Sequence, residues 1–390
     1  MPAQLTSFPK LPRRHGDEGV PTLPVAERIR NVRPYEPVQS LQAIAQQPDV
    51  EPLKLDWNES TIPPSPEVVG AIVRFLQNGH HLNWYPDLTC EGLLGPLSEY
   101  VGVPRDHLLV TNGSDAALDL LCKTYLNPDD RVVLPYPTYT HFLVFAGSNG
   151  AVFDPVTYDD PFDGRVDRVV SALTPWTKMV YLVNPNNPTG MLFSRDEVAR
   201  IVARAPLSLV VVDEAYYEFC GVSVADLVED FPNLVVTRTF SKSFGIAGLR
   251  VGYVVAHPEL IRNLRRVHNP KSVNVLGQVA ARAALADIGY HADYVGEVKK
   301  SRERLTGWLR GKGMEARSSE ANWVLVKVPD PPRFVAELES RGVFVRDRSG
   351  FPQLGGWVRM SVGTAAQTDM LCERLESALH AVGLNGVTRK

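Results

Sequence analysis

A lysine, a carboxylate, a phenol, an amide and an arginine fall in three segments spaced like successive strand ends. Asn187 lies in Asn184-Pro185-Asn186-Asn187-Pro188-Thr189-Gly190, and Asp213 and Tyr216 lie in Val211-Val212-Asp213-Glu214-Ala215-Tyr216. Lys242 and Arg250 share Thr239-Phe240-Ser241-Lys242-Ser243-Phe244-Gly245-Ile246-Ala247-Gly248-Leu249-Arg250. A lysine forms a Schiff base only when its amine is deprotonated and held against a carbonyl, which a place between a strand end and a glycine-containing loop allows. Thr239, Ser241 and Arg250 offer two hydroxyls and a guanidinium to a phosphate dianion. Asp213 suits either a helix cap or the partner of a protonated pyridine nitrogen. In the second case Tyr216 and Asn187 can reach a ring oxygen. Together these residues are the kit for holding an aldehyde cofactor that carries a phosphate and a pyridinium nitrogen.

Two more segments each admit two readings. Thr111-Asn112-Gly113-Ser114-Asp115 opens a helix, where backbone N–H groups bind phosphate and Gly113 permits close approach, or it is a plain cap. Tyr139, in Tyr136-Pro137-Thr138-Tyr139, either stacks on a flat ring or packs in a core.

These residues require a sheet whose strand ends share one edge. The runs 131–134, 179–183, 207–212 and 234–237 are short and nearly continuously apolar, as strands buried on both faces of a parallel sheet should be. Helical patterns separate them, over 115–126 and 194–204 for instance, and Ser65-Pro66 reads as an N-cap followed by a first-turn proline. This alternation predicts an α/β fold with an open, doubly wound, mostly parallel sheet. Ligands bind such sheets at the carboxyl ends of the strands, where Asn187, Asp213 and Lys242 fall. The stretch 277–310 reads as one long helix, and strands near 323–328 and 357–362 suggest a smaller α+β lobe. The expected division is a mobile Pro- and Arg-rich tail over 1–30, an arm of the small domain over 31–61, a large cofactor-binding domain over 62–270 and a small domain over 271–390.

Composition narrows the function classes. The 390 residues are 44% hydrophobic and 22% charged with a net charge of -3, so no basic block points to nucleic acid. Cys90, Cys122, Cys220 and Cys372 form no CxxC pair, which argues against a disulfide framework or a metal site and for a reducing cytoplasm. The first 20 residues lack the apolar stretch of a secretory signal, and no run approaches the ~20 apolar residues of a membrane span. No GxGxxG follows the first strand, which speaks against a dinucleotide-binding domain.

From about Asn31 onward the chain resembles the fold-type I aminotransferases that use pyridoxal 5'-phosphate, and it is most similar to their histidinol-phosphate aminotransferase branch. The resemblance implies that Lys242 binds the cofactor covalently and moves the substrate proton, that Asp213 pairs with the pyridinium, and that Tyr216 and Asn187 hold the ring oxygen. It implies that Tyr139 stacks on the ring and that Gly113, Ser114, Asp115, Thr239, Ser241 and Arg250 surround the phosphate. Tyr85, in Trp84-Tyr85-Pro86-Asp87, matches a tyrosine that reaches the partner subunit's phosphate, which implies a homodimer with shared active sites. Arg359 matches the arginine that grips the substrate's acidic group, while Arg346 and Tyr35 match positions lining a substrate phosphate pocket, with Asn187 also facing substrate.

The implied reaction moves an amino group between glutamate and a histidinol phosphate-like partner. Alternatives on the same fold are an aminotransferase for aromatic or specialised amino acids and a phospho-amino-acid decarboxylase. Arg346 and Lys271 would favour a doubly anionic substrate. Departures from the branch are Asn58-Glu59-Ser60-Thr61 in place of Asn-Glu-Asn-Pro, Ala116 in place of an acidic residue, and a polar 267–274 segment. A cofactor-sensing domain of a transcription regulator would need a DNA-binding module, for which the segment before Asn31 is too short and too Pro-rich.

Overall fold

The computed structural model describes residues 24–30, 32–35, 40–47, 49–79 and 82–384. Apart from 24–30, the expected mobile tail lies outside them. The first strand, β1 (Leu53–Lys54), precedes the seven that build the large sheet: β2 (Leu108–Thr111), β3 (Arg131–Pro135), β4 (Val152–Val156), β5 (Thr177–Val183), β6 (Leu209–Asp213), β7 (Leu234–Thr239) and β8 (Gly252–Ala256). Their spatial order is β2-β8-β7-β6-β5-β3-β4. Only β8 runs against its neighbours in this sheet. The reason is the connection: residues 240–251 hold a single 3-10 turn, Ala247–Leu249, and a parallel return needs a longer crossover.

The sheet is covered on both faces, as the apolar runs predict. Along β6, Val210 and Val212 join one hydrophobic cluster and Leu209 and Val211 the other, because successive side chains on a strand point to opposite faces. Each fully buried valine adds about 1.5–3 kcal/mol relative to exposure, so these strands cannot slip register cheaply. That fixed register places the ends of β2, β3, β5, β6 and β7 along one edge.

The second lobe has its own core. Strands β9 (Ala316–Ser318) and β10 (Trp323–Lys327) belong to it, and β11 (Val343–Phe344) pairs in parallel with β1. With β12 (Arg346–Asp347) and β13 (Trp357–Ser361) they give an antiparallel sheet of order β12-β13-β10-β9. The expected single helix over 277–310 is in fact two, Val275–Ala286 and Ile288–Gly311. They break at Asp287, whose backbone is non-helical (φ -119°, ψ 55°) and whose carboxylate accepts from Ser65 Oγ. That bond ties the residue at which the helix breaks to the cap of another helix, Pro66–Gln77.

Among the described residues, no helix is long and apolar enough to cross a membrane. None of their His, Cys, Asp and Glu side chains form a group of three or more placed to hold a metal ion.

Candidate active site

A cavity of about 500 Å³ lies along the strand-end edge and is closed from the other side by β12 and β13. Asp213, the last residue of β6, sits in its wall at 3% exposure. The Tyr181 hydroxyl donates to Oδ2 (3.2 Å) and the Ala215 N–H to Oδ1 (3.2 Å). Burial nevertheless pushes this carboxyl up to about 7, against those hydrogen bonds and with the Asp115 charge adding to it. No cation among the described residues pairs with it.

Lys242 follows β7 in the loop to β8. Buried Phe240 and Phe244 anchor the loop on either side, and Gly245 takes a left-handed φ of 72° that a side chain would strain. The Lys242 amine donates to the Trp57 carbonyl oxygen (2.8 Å) and lies 5.8 Å from the centre of the Tyr216 ring. The Tyr216 hydroxyl accepts from Asn187 Nδ2 (3.3 Å) and Asn58 Nδ2 (3.2 Å). Its ring meets Trp323 edge-on at 4.7 Å.

The start of helix Gly113–Tyr125 forms one end of the site. Asn112 makes no side-chain cap, so the first-turn N–H groups stay available to a ligand. A Cβ on Gly113 would come within 2.6 Å of Arg250 Nη2, so glycine is what lets that guanidinium lie on the helix start. Arg250 also donates to Ser241 Oγ (3.2 Å) and faces Asp115 Oδ2 (3.4 Å). The Tyr139 hydroxyl donates to Asp115 Oδ1 (2.8 Å).

This donor set fits pyridoxal 5'-phosphate. A protonated ring nitrogen is the cation that Asp213 lacks. The uncapped helix start, Ser241 and Arg250 suit a phosphate, and Lys242 offers an amine to an aldehyde.

The small-sheet wall carries arginines. Arg346 on β12 is the register partner of Arg359 on β13, and Arg348 lines the same cavity. Arg359 Nη1 donates to Asn187 Oδ1 and Nη2 to the Asp56 carbonyl oxygen, both at 2.6 Å. Burial pulls its guanidinium down to about 10, opposed by the Tyr216 phenol and reinforced by Arg346. Tyr35 stacks on His141 at 4.8 Å and both line the cavity.

Thirteen of the sequence-derived positions line the cavity: Tyr35, Ser114, Asp115, Tyr139, Asn187, Asp213, Tyr216, Thr239, Ser241, Lys242, Arg250, Arg346 and Arg359; Gly113 lies just behind, under Arg250. Tyr85 is not brought in; it is 76% exposed, with the Lys271 ammonium 4.5 Å from its ring centre. Sequence reasoning missed Arg348, His141, Asn58, Asp56 and Trp57. The Arg-Asp-Arg alternation at 346–348 and the position of His141 two residues beyond Tyr139 were usable signals. The role of Asn58 depends on a left-handed backbone (φ 56°) and on contacts to Ser361 and Asn322, none of them local in sequence.

Fold and site define a fold-type I, pyridoxal 5'-phosphate-dependent aminotransferase. The model of the family aminotransferase class I and II matches residues 50–375, and the chain belongs to that family. It is similar to the dihydroxyacetone phosphate transaminase of Campylobacter jejuni, at 39% identity over 330 residues covering 83% of this chain and 89% of the relative. It is also similar to the histidinol-phosphate aminotransferase of Thermoanaerobacter pseudethanolicus, at 36% identity over 328 residues covering 84% and 93%. Among solved structures, the histidinol-phosphate aminotransferase of Sinorhizobium meliloti in complex with pyridoxal-5'-phosphate superposes with a TM-score of 0.81 at 25% identity, covering 92% of this chain and 98% of that one. The expected fold class, enzyme class and cofactor therefore hold.

Proposed function

We propose that the enzyme transfers an amino group between glutamate and an amine or ketone that carries a phosphate monoester, with histidinol phosphate as the substrate to try first. The observation that carries this is the arginine wall, Arg346, Arg348 and Arg359, which the cavity holds in addition to Arg250. A phosphate ester also occurs in the names of both relatives above.

Bound pyridoxal 5'-phosphate supplies an electron sink for the pair left behind when a proton leaves the substrate carbon. This chain's residues supply the rest. Lys242 Nζ would hold the cofactor through its aldehyde carbon, and as a free amine it would take the proton from the substrate carbon that bears nitrogen. The Trp57 carbonyl oxygen holds that amine in place. Asp213 would keep a proton on the ring nitrogen, because an anion in a buried site stabilises an adjacent cation strongly. Tyr216 and Asn187 would orient the ring oxygen, and Tyr139 would pack against the ring. Gly113, Ser114, Thr239, Ser241 and Arg250 bind the phosphate, with Asp115 steering Arg250 and Tyr139 through its two oxygens. Arg359 takes the substrate's acidic group, and Arg346 and Tyr35 line the pocket for its far end.

The enzyme works as a cytoplasmic homodimer. Trp84 and Tyr85, at 66% and 76% exposure, are the side chains it offers to a second copy, and four free cysteines suit a reducing compartment.

Borohydride reduction of the holoenzyme followed by peptide mass spectrometry should find the cofactor on the Lys242 peptide; a cofactor trapped on another lysine overturns that role. Turnover of glutamate with unphosphorylated keto acids, together with none for any phosphorylated amine, overturns the substrate class.

A further inference from the structure

Arg348 lies just past β12, yet its N–H still donates to the Trp357 carbonyl oxygen (2.9 Å), so the pairing with β13 continues to this residue. Residues two apart on a strand share a face, and Arg346 and Arg348 therefore both turn to the cavity. Asp347 takes the opposite face, and its carboxylate accepts from Ser349 N (2.7 Å) and Oγ (2.6 Å). Arg359 stands directly across from Arg346. Like charges directly opposed on a sheet repel each other.

Among the described residues none of the acids lining the cavity pairs with Arg348: Asp56 meets Lys54 through Oδ1 (3.1 Å) and keeps a buried Oδ2 without a partner, Glu59 also pairs with Lys54, and Asp115 is held by Arg250 and Tyr139. Arg359 has committed both terminal nitrogens to Asn187 and Asp56. Among the described residues no carboxylate pairs with Arg348, and its Nε is buried without a hydrogen-bond partner. The Phe351 ring backs it at 5.9 Å. Burial, with Arg359 and Arg346 alongside, drives the Arg348 guanidinium well below its ordinary range. A singly charged ligand leaves either Arg348 or Arg359 without a bound anion. A tetrahedral dianion offers three acceptor oxygens and a second charge.

We infer that Arg348 is a specificity-determining residue, which makes the site select a phosphate monoester dianion over a singly charged group of the same shape. The inference rests on the aminotransferase reading of this cavity and names the residue that sets the charge of its substrate. Arg346 and Arg359 provide for an acidic group of either charge, and Arg348 provides the discrimination.

The test uses holoenzyme, whose cofactor phosphate already fills the Arg250 end. Phenyl phosphate and phenyl sulfate share a shape and lack an amine; at pH 8 the first is a dianion and the second a monoanion. Calorimetry on the wild type should show the phosphate ester binding at least about tenfold more tightly, the scale of one charged hydrogen bond in a buried site. In Arg348→Gln that ratio should fall to about threefold or less, with the phosphate ester losing about 10- to 100-fold. Arg348→Lys should recover part of the ratio, which a packing role would not do. The holoenzyme absorbance spectrum of each variant checks that it folds and holds cofactor. An unchanged ratio in Arg348→Gln overturns the inference, and so does an equal loss for both esters. If the wild type discriminates between the esters but never turns over a phosphorylated amine, the Arg348 inference stands and the proposed substrate falls.

Discussion

A fully buried arginine and a half-buried one in this molecule meet opposite surroundings. Arg238, on β7 beneath the lysine loop, donates from Nε to Glu214 Oε2 (2.9 Å) and lies over the Tyr217 ring at 3.6 Å. Both members of that pair are almost wholly excluded from solvent, at 4% and 1% side-chain exposure. Arg348, on the arginine wall of the cavity, has a buried Nε with no partner among the described residues and two more arginines on the same wall. A paired buried charge is architecture, because its desolvation is offset within the chain. An unpaired one has no such compensation, and in a cavity it points to a ligand that supplies it. Asp213 is the same case with the sign reversed: a carboxylate at the strand edge that lacks the cation a protonated ring nitrogen would bring.

The sharpest way to break this comparison is at the cofactor wall. Lys242→Ala should abolish the visible absorbance of the holoenzyme and reduce turnover by ~10⁶-fold, as removal of a covalent nucleophile does. Near-normal transamination by that variant ends the account. Asp213→Asn keeps the shape and removes the anion, and kcat should fall by about 10³-fold if the charge holds the ring proton.

The same aspartate yields a pH signature in the apoprotein. Its folded value lies above its unfolded one, so its contribution to stability is fully present below about pH 4 and is lost as pH rises through about 7. Chemical denaturation across that window should show the decline in wild-type apoprotein. Asn at 213 should flatten it by a few kcal/mol at most, and a parallel pH profile for the two proteins would refute the buried, unpaired state.

The arginines give the comparison in its plainest form. Arg238→Met should cost about 3–5 kcal/mol in urea unfolding, because it strands Glu214 in the core. Arg348→Met should leave apoprotein stability unchanged or raise it by up to about 1 kcal/mol, since it relieves repulsion and breaks no pair. Similar losses in both variants would mean that Arg348 is structural.

Much of the cofactor wall was legible in the sequence because parallel strands bury both faces and therefore show as uninterrupted apolar runs. Once those runs are placed, Asn187, Asp213 and Lys242 must share an edge. The antiparallel β8 was not legible, since Gly252–Ala256 is as apolar as its neighbours and only the absence of a crossover sets its direction. The break at Asp287 was hidden for another reason: its partner, Ser65, is 222 residues away. Arg348 escaped because β12 is two residues long, too short for a period to declare itself. Tyr85 remains exposed on this chain, and the role proposed for it would need a second copy.

The measurement that bears most directly on the unbalanced substrate wall is a single-turnover comparison of histidinol phosphate with histidinol on the wild-type holoenzyme. The account predicts that the phosphorylated amine reacts with a kcat/KM at least about 100-fold higher, as expected when a buried donor is otherwise left without an acceptor. Equal reactivity of the two amines would contradict it.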